Sequence, residues 1–338
     1  MAAPDRRAPH PVGAADRHPR RHGPHRTATG TGEGTAVTPP VPGAPPRRIL
    51  LATDLSADCD RALDRAVSLA RRWNATLHIV HALQSSDAAP AWWTLEGSPT
   101  DVDAEQVQLV EHGIRRDLPE PIEDLAIHIE VGNPSDVIAH TAVREDCGLI
   151  VVGASGPSFA SFISRTITER LLRRSGCSLL IVKNRARSPY RRLVVGTDLT
   201  PESRHGLETA AAWFDKPDVT LIHALDIPYR SMFMTSGNGD AFEHMEQETL
   251  TRFLDSATLP AGARERIHTV LAYGYPETAL GGYGRTHDTD LTVIGTLTRG
   301  PIFHLLAGST AARIVQTVPT DILVVRNALG MAESGTGG

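Results

Sequence analysis

Two stretches of this chain repeat at nearly constant spacing, and that repetition constrains the fold more than any other feature. Arg191-Arg192-Leu193-Val194-Val195-Gly196-Thr197-Asp198-Leu199-Thr200 matches Arg47 to Ser56 at an offset of 144. Leu221 to Leu225 repeats the run around His78 to Leu83, with His81 and His223 aligned at an offset of 142, and Gly153 aligns with Gly295 at the same offset. Anchors held in step over a whole domain length indicate an internal duplication, not a short solenoid repeat. A length of 338 residues suits two domains of ordinary size.

Each copy alternates buried-strand and amphipathic-helix signals. Arg48 to Asp54 is an aliphatic run of the kind buried on both faces of a parallel sheet. Ser56 is placed to cap a helix whose apolar positions Ala62, Leu63, Ala66, Leu69 and Ala70 recur at three- and four-residue spacing, and Thr76 to Ala82 returns to a strand. After an irregular stretch over 84–101 the pattern predicts a helix near 104–116, a strand over 125–131, a helix over 135–144, a strand over 149–152, a helix near 167–174 and a strand over 178–182. Strands alternating with helices give a mostly parallel sheet covered on both faces. The copies are expected to span 47–183 and 191–327, joined by a short polar linker at 184–190 and followed by a C-terminal tail over 328–338. Residues 1–46, rich in Pro, Arg, His and Gly, offer almost no apolar surface and are expected to stay disordered.

Charge and composition exclude several function classes. The first 46 residues carry six Arg against Asp5, Asp16 and Glu33, leaving −8 on the remainder of a chain whose net charge is −5. A body that acidic is a poor nucleic-acid binder. No run of about 18 apolar residues occurs and the N-terminus lacks a signal-peptide core, so a soluble, cytoplasmic protein is expected. Cys59, Cys147 and Cys177 stand at no metal-ligand spacing and are read as small apolar residues. Lys183 and Lys216 are the only lysines and no Gly-x4-Gly-Lys-Ser/Thr loop exists, which argues against P-loop hydrolysis. Gly153-Ala154-Ser155-Gly156 falls one residue short of a nucleophile elbow and has no matching acid and base, so no catalytic residue is assigned and no enzyme is expected. His78, His81 and His223 lie in or at the ends of apolar strands; hydrogen-bonded structural histidines outweigh a metal site there, and no metal is expected in the protein itself.

Ligands of open parallel sheets collect beyond the carboxyl ends of the strands. Thr53-Asp54 and Thr197-Asp198 follow the first strand of each copy, Ala82 and Ala224 end the second, and Gly153 to Gly156 or Gly295 to Thr298 follow the fourth. Glycines there admit backbone amides close to a phosphate, and Thr166 or Ser309-Thr310 would add hydroxyls at the next helix start. Asp54 and Asp198 suit an adenine amino group or a ribose hydroxyl; as acids just before a helix they equally suit its dipole. Trp92 and Trp93, with Tyr229, Met232, Phe233 and Met234 in the equivalent place, either pack on their own helices or form a lid or partner surface.

The repeated strand-Thr-Asp-helix opening, the strands ending His81-Ala82 and His223-Ala224, and the loops running into Thr166-Ile167-Thr168-Glu169 and Cys177 to Val182 resemble the universal stress protein family, present twice over roughly 47–183 and 191–327. The resemblance implies two tandem doubly wound, Rossmann-like α/β domains, each an open parallel five-stranded sheet of order 3-2-1-4-5. It also implies pairing through the last strands into an intrachain pseudo-dimer, or a homodimer, and in one subgroup ATP, with Mg2+, held by Gly-x2-Gly-x9-Gly-Ser/Thr. Each copy departs from that pattern. The first keeps Gly153 and Gly156 but reads Arg165-Thr166 after a spacer of eight; the second keeps Gly295, the spacer of nine and Gly308-Ser309 but has Thr298 at the second glycine. One missing residue is harder to absorb than one side chain, so the second copy is the better nucleotide site, with Thr197, Asp198, Ala224, Gly295, Thr298, Gly308, Ser309 and Thr310 as its contacts. The alternative is a family member that has lost nucleotide binding and serves as an interaction scaffold.

Overall fold

The computed structural model describes residues 43–83, 104–154, 167–172, 175–225, 239–297 and 309–327. The six aromatic and methionine residues named above lie outside them, as do most of both tails. Pro46, assigned by composition to the N-terminal tail, is buried, because its ring fills the space left by the missing side chain of Gly148.

The first half runs β1 (Arg48–Ala52), α1 (Asp60–Trp73), β2 (Thr76–Leu83), α2 (Ala104–Asp117), β3 (Leu125–Val131), α3 (Pro134–Arg144), β4 (Leu149–Gly153), a helical stretch α4 over 167–172, and β5 (Ser178–Val182). The second repeats it as β6 (Arg192–Thr197), α5 (Pro201–Trp213), β7 (Asp218–Leu225), α6 (Gly239–Asp255), β8 (Ile267–Tyr273), α7 (Pro276–Thr286), β9 (Leu291–Leu297), α8 (Ser309–Thr317) and β10 (Asp321–Asn327). No helix among the described residues is long and apolar enough to cross a membrane.

One element differs from its sequence reading. Ser56 precedes a 3-10 turn, Ala57–Cys59, and α1 begins only at Asp60. The Ser56 hydroxyl is already committed to Asp54 Oδ1 at 2.6 Å, so it caps no helix amide. In the second half Thr200 does cap α5, accepting from the Ser203 amide.

All ten strands form one sheet in the order β3-β2-β1-β4-β5-β10-β9-β6-β7-β8. Each half has the 3-2-1-4-5 order of parallel strands, and the halves meet where β5 and β10 pair antiparallel, Ile322 opposite Ile181 and Val324 opposite Leu179. Successive side chains of a strand point to opposite faces, so Ile49, Leu51, Leu180 and Leu323 join one core with α1, α2, α5 and α6. Leu50, Leu179, Ile181 and Val324 join the other with α3, α7 and α8. Both cores continue through the seam.

A buried polar network pins the linker there. Asp321 has no exposed surface; it accepts from the amides of Lys183 (2.7 Å) and Asn184 (2.8 Å) and from the Tyr190 hydroxyl (2.5 Å). Arg65 of α1 stacks its guanidinium 3.9 Å above the Tyr190 ring, stands 3.8 Å from Asp321 and donates to Ser188 O. Burial drives the Tyr190 hydroxyl well above its ordinary pKa, so it stays a donor. Residues from both halves and the linker thus satisfy one buried carboxylate, as low-dielectric burial requires.

Candidate functional site

In each half, the strand order reverses beside the first strand. β6 continues through α5 to β7 on one side, whereas β9 continues through α8 to β10 on the other, so a crevice opens beyond the carboxyl ends of β6 and β9. Because Gly196 pairs with Ile294, Thr197 stands beside Gly295, and Thr197 also pairs with His223, the residue before Ala224. α8 joins parallel strands and therefore runs back across the sheet, which puts its N-terminal amides at this same edge. The first half repeats the arrangement with Thr53, Gly153 and His81.

Local turn chemistry fixes the two aspartates. Asp198 Oδ1 accepts from the Thr200 amide and hydroxyl, and Asp54 Oδ1 accepts from the Ser56 amide and hydroxyl. These short closures place Leu199 and Leu55 in the left-handed region, at φ 65° and 62°. Both carboxylates are exposed, and their Oδ2 atoms have no hydrogen-bond partner among the described residues, leaving them able to accept from a ligand. Partial burial works to raise the Asp54 pKa, but the Ser56 bonds and a bond from the Cys59 thiol outweigh it and hold the carboxyl below its ordinary range. The Cys59 thiol is pushed up to about 11, chiefly by burial. It is therefore a hydrogen-bond donor rather than a purely apolar filler, and Ser203 takes its place in the second half.

The threonine hydroxyls and the histidines bond within the protein. Thr197 Oγ1 accepts from the Leu199 amide and bonds Ser203 Oγ at 2.9 Å, and Thr53 Oγ1 accepts from the Leu55 amide. His81 Nδ1 lies 2.9 Å from Thr53 O and His223 Nδ1 the same distance from Thr197 O, so the repeated histidine ties the second strand to the turn after the first.

Gly153 and Gly295 have a role that sequence reasoning missed. A Cβ on Gly295 would lie 1.9 Å from Glu202 O and 2.9 Å from Ser203 Cα; one on Gly153 would lie 3.1 Å from Asp58 O. These glycines admit the backbone that opens the following helix, and Gly206 completes the fit because its own Cβ would meet Gly295 N at 3.0 Å. No spacing in the sequence signalled this contact, which depends on how α5 docks on β9.

Of the phosphate-loop positions, Gly156, Thr166, Thr298 and Gly308 lie outside the described residues. Ser309 opens α8, and Thr310 accepts from Arg313 one turn further in. Arg313 also bonds Glu277 Oε1 at 2.7 Å, joining α8 to the first turn of α7, while the mostly buried Glu277 Oε2 has no partner among the described residues. No sequence pattern announced this pair. Ser135 occupies the matching place in the first half, so the charged contact distinguishes the two copies.

Comparison with known proteins follows the same duplication. The sequence model of the universal stress protein family matches twice, over residues 46–183 and 189–326. A Staphylococcus aureus (strain USA300) protein described as a universal stress protein is 26% identical over 140 residues, covering 40% of this chain and 84% of the relative. A crystal structure of a universal stress protein from Archaeoglobus fulgidus superposes with a TM-score of 0.54 at 16% identity, covering 83% of this chain and 96% of its own. A Pseudomonas aeruginosa UCBPP-PA14 protein described in the same terms gives 0.57 at 19% identity, over 83% and 93%. At these identities the two solved structures speak to the fold alone.

Proposed function

The chain belongs to the universal stress protein family, in tandem form, and from that premise we propose that it is a non-catalytic regulator that binds adenine nucleotide at the crevice of its second half. The observation that carries this reading is the convergence at one sheet edge of Asp198, with one carboxylate oxygen unengaged, and the N-terminus of α8. A carboxylate recognises an amino or ribose hydroxyl group, and a helix N-terminus stabilises phosphate through its amides and dipole. Gly308-Ser309 after the full nine-residue spacer supports the second half over the first, where Arg165 replaces the glycine. Mg2+ would accompany the phosphates of ATP.

On this reading the output of binding is a change of conformation or association rather than a chemical step. An intrachain pseudo-dimer through β5 and β10 leaves further homodimerisation open to the outer edges. Two measurements test the reading. Denaturing the purified protein and chromatographing the supernatant reports bound adenine nucleotide. Calorimetry with ATP should then show saturable binding weakened about tenfold or more, roughly 1.4 kcal/mol, by Asp198→Ala. Absence of any binding by the wild type would favour the scaffold alternative.

A further inference from the structure

Away from both crevices, three side chains with metal-ligating atoms converge under the end of α3. His78 on β2 and His128 on β3 point to the same face of the sheet, because Val80 pairs with His128 and His78 stands two residues earlier on its strand. Their rings stack at a centroid distance of 5.3 Å, with His78 Nδ1 3.0 Å from His128 Nε2. Glu145, at the C-terminus of α3, brings Oε2 to 3.9 Å from His78 Nδ1. One atom from each of the three residues falls within 4.8 Å of the other two.

We propose that His78, His128 and Glu145 form a binding site for a divalent transition-metal ion of the zinc type. Two nitrogens bound at about 2.0–2.1 Å to one zinc ion stand roughly 3.0–3.4 Å apart, and the two ring nitrogens already do. Two imidazoles and one carboxylate select zinc, copper or nickel over magnesium and calcium, which prefer all-oxygen sets. Water completes the coordination.

Arg144 bonds Glu145 Oε1 at 2.8 Å, while Glu145 Oε2 is the oxygen 3.9 Å from His78 Nδ1. Arg144 lies 3.2 Å from His128 Nδ1 and donates to it, which puts the His128 proton on Nε2, facing His78 Nδ1. On metal binding that proton transfers to Nδ1, the lone pairs of His128 Nε2 and His78 Nδ1 go to the ion, and Arg144 turns fully onto Glu130 and Glu145, which it already bonds. No net proton is released from the neutral pair.

The fold does not demand these residues. At the same offset of 142 the second half has Thr220, Val270 and His287, and there Thr220 bonds the Tyr283 hydroxyl while Tyr283 stacks on His287. Packing alone is satisfied by that set, so the two histidines and the carboxylate are particular to the first half. Holding an ion gives the first half a reason for its costlier polar cluster.

The test uses the full chain with His10, His18, His22 and His25 replaced by alanine, so that the histidine-rich N-terminus adds no background. Titration of the chelator-treated protein with ZnCl2 in a calorimeter should show one ion per chain, unaffected by excess MgCl2. His128→Ala and, separately, Glu145→Gln should each weaken binding about tenfold or more. CoCl2 in place of zinc should give a visible d–d band that both variants lose. Glu145→Gln is isosteric and partly exposed, so its circular dichroism should match the parent and keep the test decisive if His128→Ala folds poorly. Absence of zinc binding, binding unchanged in Glu145→Gln, or equal displacement by MgCl2 would overturn the proposal.

Discussion

At the scale of single residues, glycines and buried charges make the most specific statements. Gly295 is closed in by the Glu202 carbonyl, so Gly295→Ala forces β9 and α5 apart. Overpacking of this kind costs about 1–3 kcal/mol, and urea denaturation should register it. Gly153→Ala, with 3.1 Å to the nearest atom, should cost less; equal losses would mean that the two helix openings are not packed as described. Lys183 donates to the carbonyls of Val315 and Val318 at the end of α8, yet burial pushes its pKa down from 10.5 to about 8. At Lys183 the folded state therefore binds fewer protons than the unfolded chain between about pH 8 and 10.5, so this residue contributes a rise in stability with pH across that window. The thiols of Cys59, Cys147 and Cys177, whose pKa values burial raises, contribute in the opposite direction. Tyr190, whose pKa is raised by burial, acts in the opposite direction once pH exceeds about 10. Lys183→Met, compared with the wild type by thermal unfolding between pH 7.5 and 9.5, should flatten the rise. An identical pH slope in both proteins would remove Lys183 from the account.

At the scale of elements, the seam between β5 and β10 carries the association of the halves. Leu180 and Leu323 on one face, with Leu179, Ile181, Ile322 and Val324 on the other, are buried along the paired strands, where both cores pass from one half to the other. An isolated first half would present β5 as an open apolar edge, which invites pairing with a second copy. Expressed alone, residues 47–186 should accordingly form dimers or aggregate, as light scattering would report; a stable monomer at high concentration would contradict the seam. The strands were legible in the sequence because they are short aliphatic runs between helical periodicities, the duplicated anchors showed the same succession in both copies, and the order 3-2-1-4-5 came from the family resemblance. Less legible were contacts that pair distant positions. Nothing in the spacing of Arg65, Tyr190 and Asp321 announces that they meet, and Ser56 looks like a helix cap until its hydroxyl is seen bonded to Asp54. Gly295 was legible as a necessary glycine, but its reason lies in the α5 backbone, visible only once the helix is docked.

At the scale of the whole molecule, one sheet and two continuous cores hold copies whose sites have diverged. The second half keeps the Gly308-Ser309 spacing and adds the Arg313–Glu277 contact beside α8; the first half has Arg165 in the loop and the His78, His128 and Glu145 cluster elsewhere. Such asymmetry within a common frame fits a protein in which one copy takes a nucleotide and the other a different role. The loop substitutions decide between the copies most directly. On the proposed reading the phosphates approach the backbone at Gly308, and Gly156 is the phosphate-loop glycine of the alternative site in the first half, so Gly308→Val and Gly156→Val set the two against each other. ATP binding measured by calorimetry on the two full-length variants should fall about tenfold or more, roughly 1.4 kcal/mol, for Gly308→Val and change little for Gly156→Val. A loss confined to Gly156→Val would contradict the assignment and move the nucleotide to the first half.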